Sequence, residues 1–314
     1  MNNIGFVGCG AIAKKHATML QGQVGQYFQS RRLESAKDFC QQFGGKGTFV
    51  SYQEMLACDD IDAVVLCSPP EVHCDQILLA LEAGKSVLVE KPMVITPEQL
   101  EEVMHAAEQY PSLFVMVAEN YHYKPSLTVI QKTIEEGAIG DIQNIHIRKM
   151  FTQASLGWKG KYGALFEGGI HFVALCSSLM HRQHPIQIEA DFPMHTQPER
   201  TSHLYLTYES GVKATIDYSW ETKDIFKGVF QHSRIDGTKG KLIFESNGLY
   251  LRSSRGFQIC DLKDQSGRRA MMNDFLQCLE GRKKPSYDHI QAALDLRVVF
   301  EAYRKTGREV YVQS

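Results

Sequence analysis

The sequence predicts an α/β protein of two domains: residues 1–120 as a doubly wound parallel sheet, and residues 121–314 as an α+β domain on an open, mostly antiparallel sheet. Three observations point there. Up to about residue 120, short apolar strands alternate with amphipathic helices, the pattern of a parallel sheet covered on both faces. Beyond about residue 125 that rhythm gives way to strands that alternate apolar and polar residues. The first strand also runs straight into Gly8-Cys9-Gly10-Ala11-Ile12-Ala13, a glycine turn that opens a helix. A chain of 314 residues accommodates two domains of roughly 150 residues each.

In the first domain the spacing predicts strands over 4–7, 26–29, 63–67, 86–90 and 113–117, and helices over 11–21, 33–43, 73–83 and 97–109. The last helix is entered through Thr96 as N-cap, with Pro97 at its first position, where proline's fixed φ suits the start of a helix. In the second domain a helix over 126–136 leads to a strand over 142–150, then a loop, a helix and a series of strands. Strands at 205–208 and 214–218 flank Glu209-Ser210-Gly211, a hairpin signal, and strands at 230–235 and 242–245 flank a glycine-bounded turn at 237–240. Helices over 270–280 and 289–305 precede a short strand at 309–312. The helices available cover one face of this sheet. The second face must be polar or meet a partner, and the alternation of Val212, Ala214, Ile216 and Tyr218 with Lys213, Thr215, Asp217 and Ser219 does not separate the two; a partner copy, in a homodimer or homotetramer, is the expectation.

Composition excludes several classes of function. Charged residues make up 22%, the net charge is −2 and there is no polybasic run, so neither nucleic acid nor an anionic membrane is an expected partner. No stretch approaches ~18 uninterrupted apolar residues, and the first strand begins without a charged and apolar leader, so a cytoplasmic location is expected. The eight cysteines are scattered without paired spacing and read as reduced packing residues. Cys176, His181 and His184 match no common zinc ligand set, and no metal is expected.

The glycine turn carries the first chemical reading. Gly8 permits the tight turn, Gly10 removes a side chain that would block close approach of a pyrophosphate, and Ala13 stands where a third glycine often stands. The helix that starts at Ala11 and Ile12 points its unpaired N–H groups and positive dipole end at the anion. This is the Rossmann pattern for a dinucleotide. NAD enzymes of that pattern place a carboxylate about 20 residues on, at the end of the second strand. Here that position reads Ser30-Arg31-Arg32, a hydroxyl and two guanidinium groups suited to a 2′-phosphate, which favours NADP with NAD as the alternative. The competing reading leaves Arg31 and Arg32 solvated at a helix start, with Glu34 close by.

Two further segments carry chemistry. Lys91, in Glu90-Lys91-Pro92, follows a strand at the sheet's expected carboxyl edge, where a lysine can donate to a carbinol or carbonyl oxygen. Spacing alone does not separate that role from an ordinary surface lysine. A cis Lys91-Pro92 bond is compatible with the sequence. In Glu167-Gly168-Gly169-Ile170-His171 the acidic residue and the histidine are four apart and share one face of a helix, where the carboxylate can orient the imidazole for proton transfer. The two glycines each cost a helix about 1 kcal/mol against alanine, which points to close approach of a ligand or another backbone. An ordinary surface pair is the competing reading. Trp158 and Lys159, in Gly157-Trp158-Lys159-Gly160, offer an indole to stack on a sugar face and an ammonium for an anion, or else belong to a plain loop.

Gly8-Cys9-Gly10-Ala11-Ile12-Ala13 followed by Lys14-Lys15-His16, then Cys67-Ser68-Pro69-Pro70-Glu71-Val72-His73, then Ala83-Gly84-Lys85-Ser86-Val87-Leu88-Val89-Glu90-Lys91-Pro92, resembles in order and spacing the Gfo/Idh/MocA family of sugar and cyclitol oxidoreductases. Gly168-Gly169-Ile170-His171 resembles that family's substrate-domain motif, and the segment from Glu280-Gly281 to Gly307-Arg308-Glu309-Val310 resembles its ending. The resemblance implies an N-terminal Rossmann domain, a C-terminal sheet domain that mediates oligomers, and hydride transfer between a nicotinamide and a secondary carbinol. It implies that Lys91 binds the reacting oxygen and that His171 is the acid/base residue. Glu167 stands where inositol dehydrogenases of the family carry aspartate. Ser68, Pro69, His73, Glu90, Lys91 and Asn120 are implied among the cofactor contacts, and Tyr123 among the substrate contacts. Ser30-Arg31-Arg32 is similar to the phosphate-binding turn of NADP-using relatives, biliverdin reductases among them, whereas Lys91 and His171 are closer to the sugar-oxidising branch. Two alternatives stay open: a glycosidase acting by transient oxidation, and a non-catalytic NADP-binding sensor.

Overall fold

The computed structural model describes residues 1–154, 160–193, 196–224 and 228–311, in two units. The first comprises Met1–Glu119 with Arg269–Ala292, the second Asn120–Arg268 with the described residues from Ala293 onward. In chain order the first contains β1 (Asn3–Val7), α1 (Ala11–Leu20), β2 (Gly25–Gln29), α2 (Leu33–Phe43), β3 (Gly47–Phe49), α3 (Tyr52–Leu56), β4 (Ala63–Leu66), α4 (His73–Glu82), β5 (Ser86–Val89), α5 (Pro97–Gln109) and β6 (Val115–Val117). Its strands pair in parallel in the order β3-β2-β1-β4-β5-β6. Every residue of β4, β5 and β6 is buried, as a sheet covered on both faces requires. Thr96 caps α5 as the sequence predicts, its hydroxyl accepting from Gln99 N at 3.2 Å. β3 and α3, three and five residues long, are too short to show a period in the sequence.

The second unit contains α6 (Pro125–Glu135), β7 (Ile142–Met150), a π-helical turn over Leu165–Gly169, α7 (Ile170–Leu179), β8 (Gln187–Asp191), β9 (Thr201–Thr207), β10 (Lys213–Ser219), β11 (His232–Gly237), β12 (Gly240–Glu245), β13 (Tyr250–Ser253) and β14 (Gly256–Ile259). The chain then forms α8 (Arg268–Leu279) and α9 (His289–Thr306). Its sheet runs β14-β13-β12-β11-β7-β10-β9-β8, antiparallel except where β7 and β10 pair in parallel. Ile145, Ile147, Ala214, Ile216, Leu204 and Leu206 line its buried face. On the other face His146 Nε2 and His203 Nδ1 lie 2.7 and 2.6 Å from the two oxygens of Asp217, one cluster across three strands. Burial pushes the Asp217 carboxyl up, but the hydrogen bonds to the imidazoles outweigh it and hold the group below the ordinary aspartate range. Toward the β14 edge that face carries Tyr250, Phe257 and Ile259, the last two 61% and 64% exposed. Among the described residues no helix is long and apolar enough to cross a membrane.

The sequence reading divides the chain once, at 120/121. In the structure residues 269–292 return to the first unit. Met116 and Asp288 form an antiparallel bridge, Val117 N donates to Tyr287 O at 3.1 Å, and the Phe114 ring meets Phe275 edge-on at 6.0 Å. β6 is the edge of its sheet, and this return supplies backbone and apolar partners there.

Glu199 seats the π-helical turn. Its Oε1 accepts from Leu165 N at 2.7 Å and its main-chain oxygen from Ala164 N at 2.9 Å, so two N–H groups at the start of the turn are satisfied by one residue, the first by its carboxyl group and the second by its main-chain carbonyl. A Cβ on Gly163 would fall 1.7 Å from Glu199 Oε2 and 2.0 Å from Tyr303 Oη, so the glycine makes room for both. Glu199 is 1% exposed, and burial pushes its carboxyl up to about 7, against the opposing pull of the Leu165 N–H, Tyr303 and Arg200. A carboxyl raised in the folded state favours the fold most when protonated. Its contribution is complete below the unfolded value of 4.5 and is lost as pH rises through about 7, a change of up to about 3 kcal/mol. Urea unfolding at pH 5 and pH 8 checks this: Glu199→Gln should gain about 3 kcal/mol relative to the native chain between the two, and a constant difference would refute the assignment.

Candidate active site

The parallel register sets out the candidate residues of the first unit. Gln29, Val7, Leu66, Val89 and Val117 stand in one row at the strand ends. The next residues continue the ladder, with Gly8 N on Gln29 O (2.9 Å), Cys67 N on Val7 O (2.8 Å), Glu90 N on Leu66 O (3.0 Å) and Ala118 N on Val89 O (2.8 Å). Strand order reverses direction between β1 and β4, the crevice at which open α/β sheets bind ligands. Gly8 has φ +91°, and a Cβ there would lie 2.9 Å from Cys67 O, so only glycine fits. Gly10 differs: a Cβ on it would meet nothing within 4 Å. Packing does not require that glycine. What it leaves is open space before the N–H groups of Ala11 and Ile12 at the start of α1, whose first turn holds no acidic residue, and this cradle fits a pyrophosphate.

Ser30, Arg31 and Arg32 follow Gln29 directly, whose carbonyl holds Gly8, so the register brings the arginine segment beside the glycine turn. Both arginines are exposed, and among the described residues neither guanidinium has a side-chain partner. Arg32 is the N-cap of α2, with Glu34 in that helix's first turn.

Lys91 is half-buried beyond the end of β5, and the Lys91-Pro92 bond is cis. The preceding Glu90 is anchored to α1, its Oε1 lying 2.7 Å from the buried His16 Nε2. His73, expected among the cofactor contacts, has no exposed surface. Its Nδ1 lies 3.0 Å from Pro92 O and its Nε2 2.9 Å from Ser68 O, so it ties the loops after β4 and β5 together. Burial holds its imidazole below the ordinary histidine range, against the raising effect of the two carbonyls and Glu90. Ser68 also donates its hydroxyl to Gln76 Oε1, and Pro69 is half-buried beside it.

The second unit carries the other candidate residues. Glu167 lies inside the π-helical turn, 3% exposed, while His171 stands in the first turn of α7, half-buried. A regular helix would put the two on one face; the wider turn buries the first and leaves the second accessible. The expectation that the glycines admit a ligand or a backbone is replaced by a side chain: a Cβ on Gly168 would fall 2.0 Å from Tyr218 Oη. Tyr218 is buried, its hydroxyl accepting from Trp220 Nε1 at 2.9 Å, and burial pushes its phenol well above the ordinary tyrosine range. Asn120 opens a 3₁₀ turn over Asn120–Tyr123 and donates its amide to Ser266 O at 2.6 Å. Tyr123 packs edge-on against His122. Trp158 and Lys159 lie outside the described residues.

Sequence reasoning missed four supports: His16 beneath Glu90, Glu199 beneath the π-helical turn, and Tyr121 with Lys124 beside His171. His16 was legible as a histidine on the buried side of α1. Tyr121 and Lys124 carried the signal of an aromatic and a cation three residues apart where the chain leaves β6.

Comparison with known proteins agrees with this geometry. Residues 2–119 match the model of an oxidoreductase family with an NAD-binding Rossmann fold, and residues 128–243 match the GFO/IDH/MocA C-terminal domain. The chain is 26% identical over 246 residues to trans-1,2-dihydrobenzene-1,2-diol dehydrogenase of Mus musculus, covering 75% of this chain and 72% of that enzyme. It is 31% identical over 188 residues to glucose-6-phosphate 3-dehydrogenase of Bacillus subtilis, covering 55% of this chain and about half (52%) of the relative. Among solved structures, an Agrobacterium radiobacter oxidoreductase in complex with NAD+, L-tartaric acid and magnesium superposes with TM-score 0.87 at 17% identity, over 99% of this chain and 98% of that one. A 3-ketoreductase from Actinomadura kijaniata in complex with NADP gives 0.80 at 22% identity, over 99% of each chain. Both family models match in order along the chain, the glycine cradle lies within the first and the π-helical turn within the second, and the protein belongs to the Gfo/Idh/MocA family of NAD(P)-dependent oxidoreductases.

Proposed function

We propose that this protein transfers a hydride reversibly between NADP and a secondary carbinol or ketone of a sugar-like or cyclitol substrate. The observation that carries the reading is the row of strand ends, which sets the open glycine cradle and Lys91 on one edge of the same sheet. The Mus musculus relative is named for a diol and the Bacillus subtilis relative for the 3-position of glucose 6-phosphate, both secondary alcohols. When bound, the nicotinamide ring accepts or gives the hydride. Lys91 donates to the substrate oxygen and stabilises the negative charge that builds on it as the C–H bond breaks. His171 takes the hydroxyl proton in oxidation and returns it in reduction, with Glu167 one turn before it. Tyr123, Trp158 and Lys159 are assigned to the substrate, and Gly8, Gly10, Ala11, Ile12, Ser68, Pro69, Glu90 and Asn120 to the cofactor.

The solved relatives hold NAD+ in one case and NADP in another, so the fold takes either. NADP is favoured here by two exposed guanidinium groups and a serine where an NAD enzyme needs a carboxylate. A second copy of the chain is the proposed partner of the sheet face that bears Tyr250, Phe257 and Ile259, in a homodimer or homotetramer.

Lys91→Ala and His171→Ala should each lower turnover of the NADPH absorbance by about 10²–10⁴ while cofactor binding persists, and full activity in either would remove that residue from the mechanism. Replacing Arg31 and Arg32 by alanine should weaken NADP binding by about 10- to 100-fold and leave NAD binding unchanged. Equal losses for both dinucleotides, measured by calorimetry, would exclude a 2′-phosphate site. Phe257→Asp combined with Ile259→Asp should convert the native oligomer to a monomer in light scattering; an oligomer of unchanged mass would move the interface elsewhere.

A further inference from the structure

Tyr121 occupies a position that the proposed chemistry does not explain. Its ring lies 4.4 Å from the His171 ring, centroid to centroid, with the planes 10° apart, a tighter and flatter pairing than most aromatic contacts. Lys124 Nζ lies over the same Tyr121 ring at 3.7 Å from the centroid. The Tyr121 ring therefore carries both the imidazole and the ammonium as direct packing partners. Phe172 closes the edge at 5.4 Å and 78°.

The lysine end of this cluster is fixed. Lys124 is 8% exposed and donates to Asn247 O at 2.7 Å. Asn247 is held in turn by Glu245, whose carboxylate accepts from its main-chain N at 2.9 Å and its side-chain amide at 2.8 Å, and by Lys149 Nζ, which reaches Asn247 Oδ1 at 2.6 Å. Glu245 has no exposed surface and Lys149 is 6% exposed. A cation so anchored sets the plane of the ring it covers, since cation–π attraction falls away once the charge leaves the ring face. The outer torsion of histidine, by contrast, is broad, and the backbone of α7 alone leaves the imidazole plane undetermined.

We propose that Tyr121, backed by Lys124, is a positioning residue that fixes the plane of the His171 imidazole for proton transfer. The proposal rests on the reading of His171 as the group that moves the proton. A proton acceptor must lie within hydrogen-bond reach and in line, and small misplacements cost rate rather than binding. Phenylalanine retains the stacking face; leucine removes it.

The test has two arms. The first uses the native chain and its variants without substrate. Ring C–H resonances of His171 should be displaced upfield by the Tyr121 ring current, retain that displacement in Tyr121→Phe and lose it in Tyr121→Leu. The second measures kcat and KM with NADP and glucose 6-phosphate, myo-inositol and D-glucose as probes. Tyr121→Leu should lower kcat by about 10²-fold with KM little changed, and Tyr121→Phe should restore most of it. An upfield displacement that survives in Tyr121→Leu, or full kcat in that variant, would overturn the proposal. Loss in Tyr121→Phe equal to that in Tyr121→Leu would also overturn it, by assigning the effect to the hydroxyl. Full turnover in His171→Ala removes the parent reading instead, and the resonance arm still decides whether the stack holds the ring.

Discussion

The close approach of Gly8 to the main chain of Cys67 is the contact on which the glycine cradle depends. β1 and β4 are neighbours across the point where strand order reverses, and the turn after β1 must clear the chain leaving β4. A Cβ at Gly8 would stand 2.9 Å from the Cys67 carbonyl oxygen. Any other residue would push α1 away from the sheet edge, and with it the N–H groups of Ala11 and Ile12. The same turn donates Gly8 N to Gln29 O, which fixes where Ser30, Arg31 and Arg32 leave β2. One short contact therefore sets both the pyrophosphate cradle and the place of the arginine pair.

A comparable constraint shapes the segment that precedes His171, with side chains in place of backbone. Two glycines in a helical segment sacrifice about 1 kcal/mol each against alanine. At Gly168 that loss avoids a collision with Tyr218 Oη and at Gly169 one with Leu165 Cδ1, while Gly163, just before the segment, leaves room for Glu199 and Tyr303. Such overlaps would displace buried groups, at a cost above that of the glycine. The segment is thus held from both sides, by a carboxylate at its start and by a phenol along its flank, and a π-helical turn is the shape that satisfies both.

Much of the fold was legible because its signals are local. The glycine turn, the Thr96-Pro97 helix start and the hairpin around Gly211 each follow from turn and cap chemistry within a few residues. Lys91 and His171 were legible as candidates, but their spacing alone matched ordinary surface groups, and it took the resemblance to single them out. What stayed hidden is nonlocal. The return of residues 269–292 to the β6 edge answers a need of that edge which no periodicity in α8 expresses. His73 lies in a motif that suggests ligand contact, yet the carbonyls that claim both its nitrogens come from Ser68, five residues before it, and from Pro92, nineteen after it. The reason for Gly168 is a tyrosine fifty residues downstream, so the sequence could show that something approaches closely and not what.

The supports under Lys91 and His171 share a logic. Lys91 follows a glutamate pinned to a buried histidine, and His171 faces a tyrosine pinned by a buried lysine. Both candidate residues are half-buried, while the groups that hold their neighbours, His16 and Lys124, are buried. A side chain that must meet a solvated substrate cannot be packed on all sides, and its orientation has to come from one layer further in. Hydrogen bonds and ring contacts made in that low-dielectric layer are stiffer than those at the surface, because water competes for them less. Orientation established there before a ligand arrives need not be established afterwards, which is the advantage of supporting a partly exposed side chain from a buried layer.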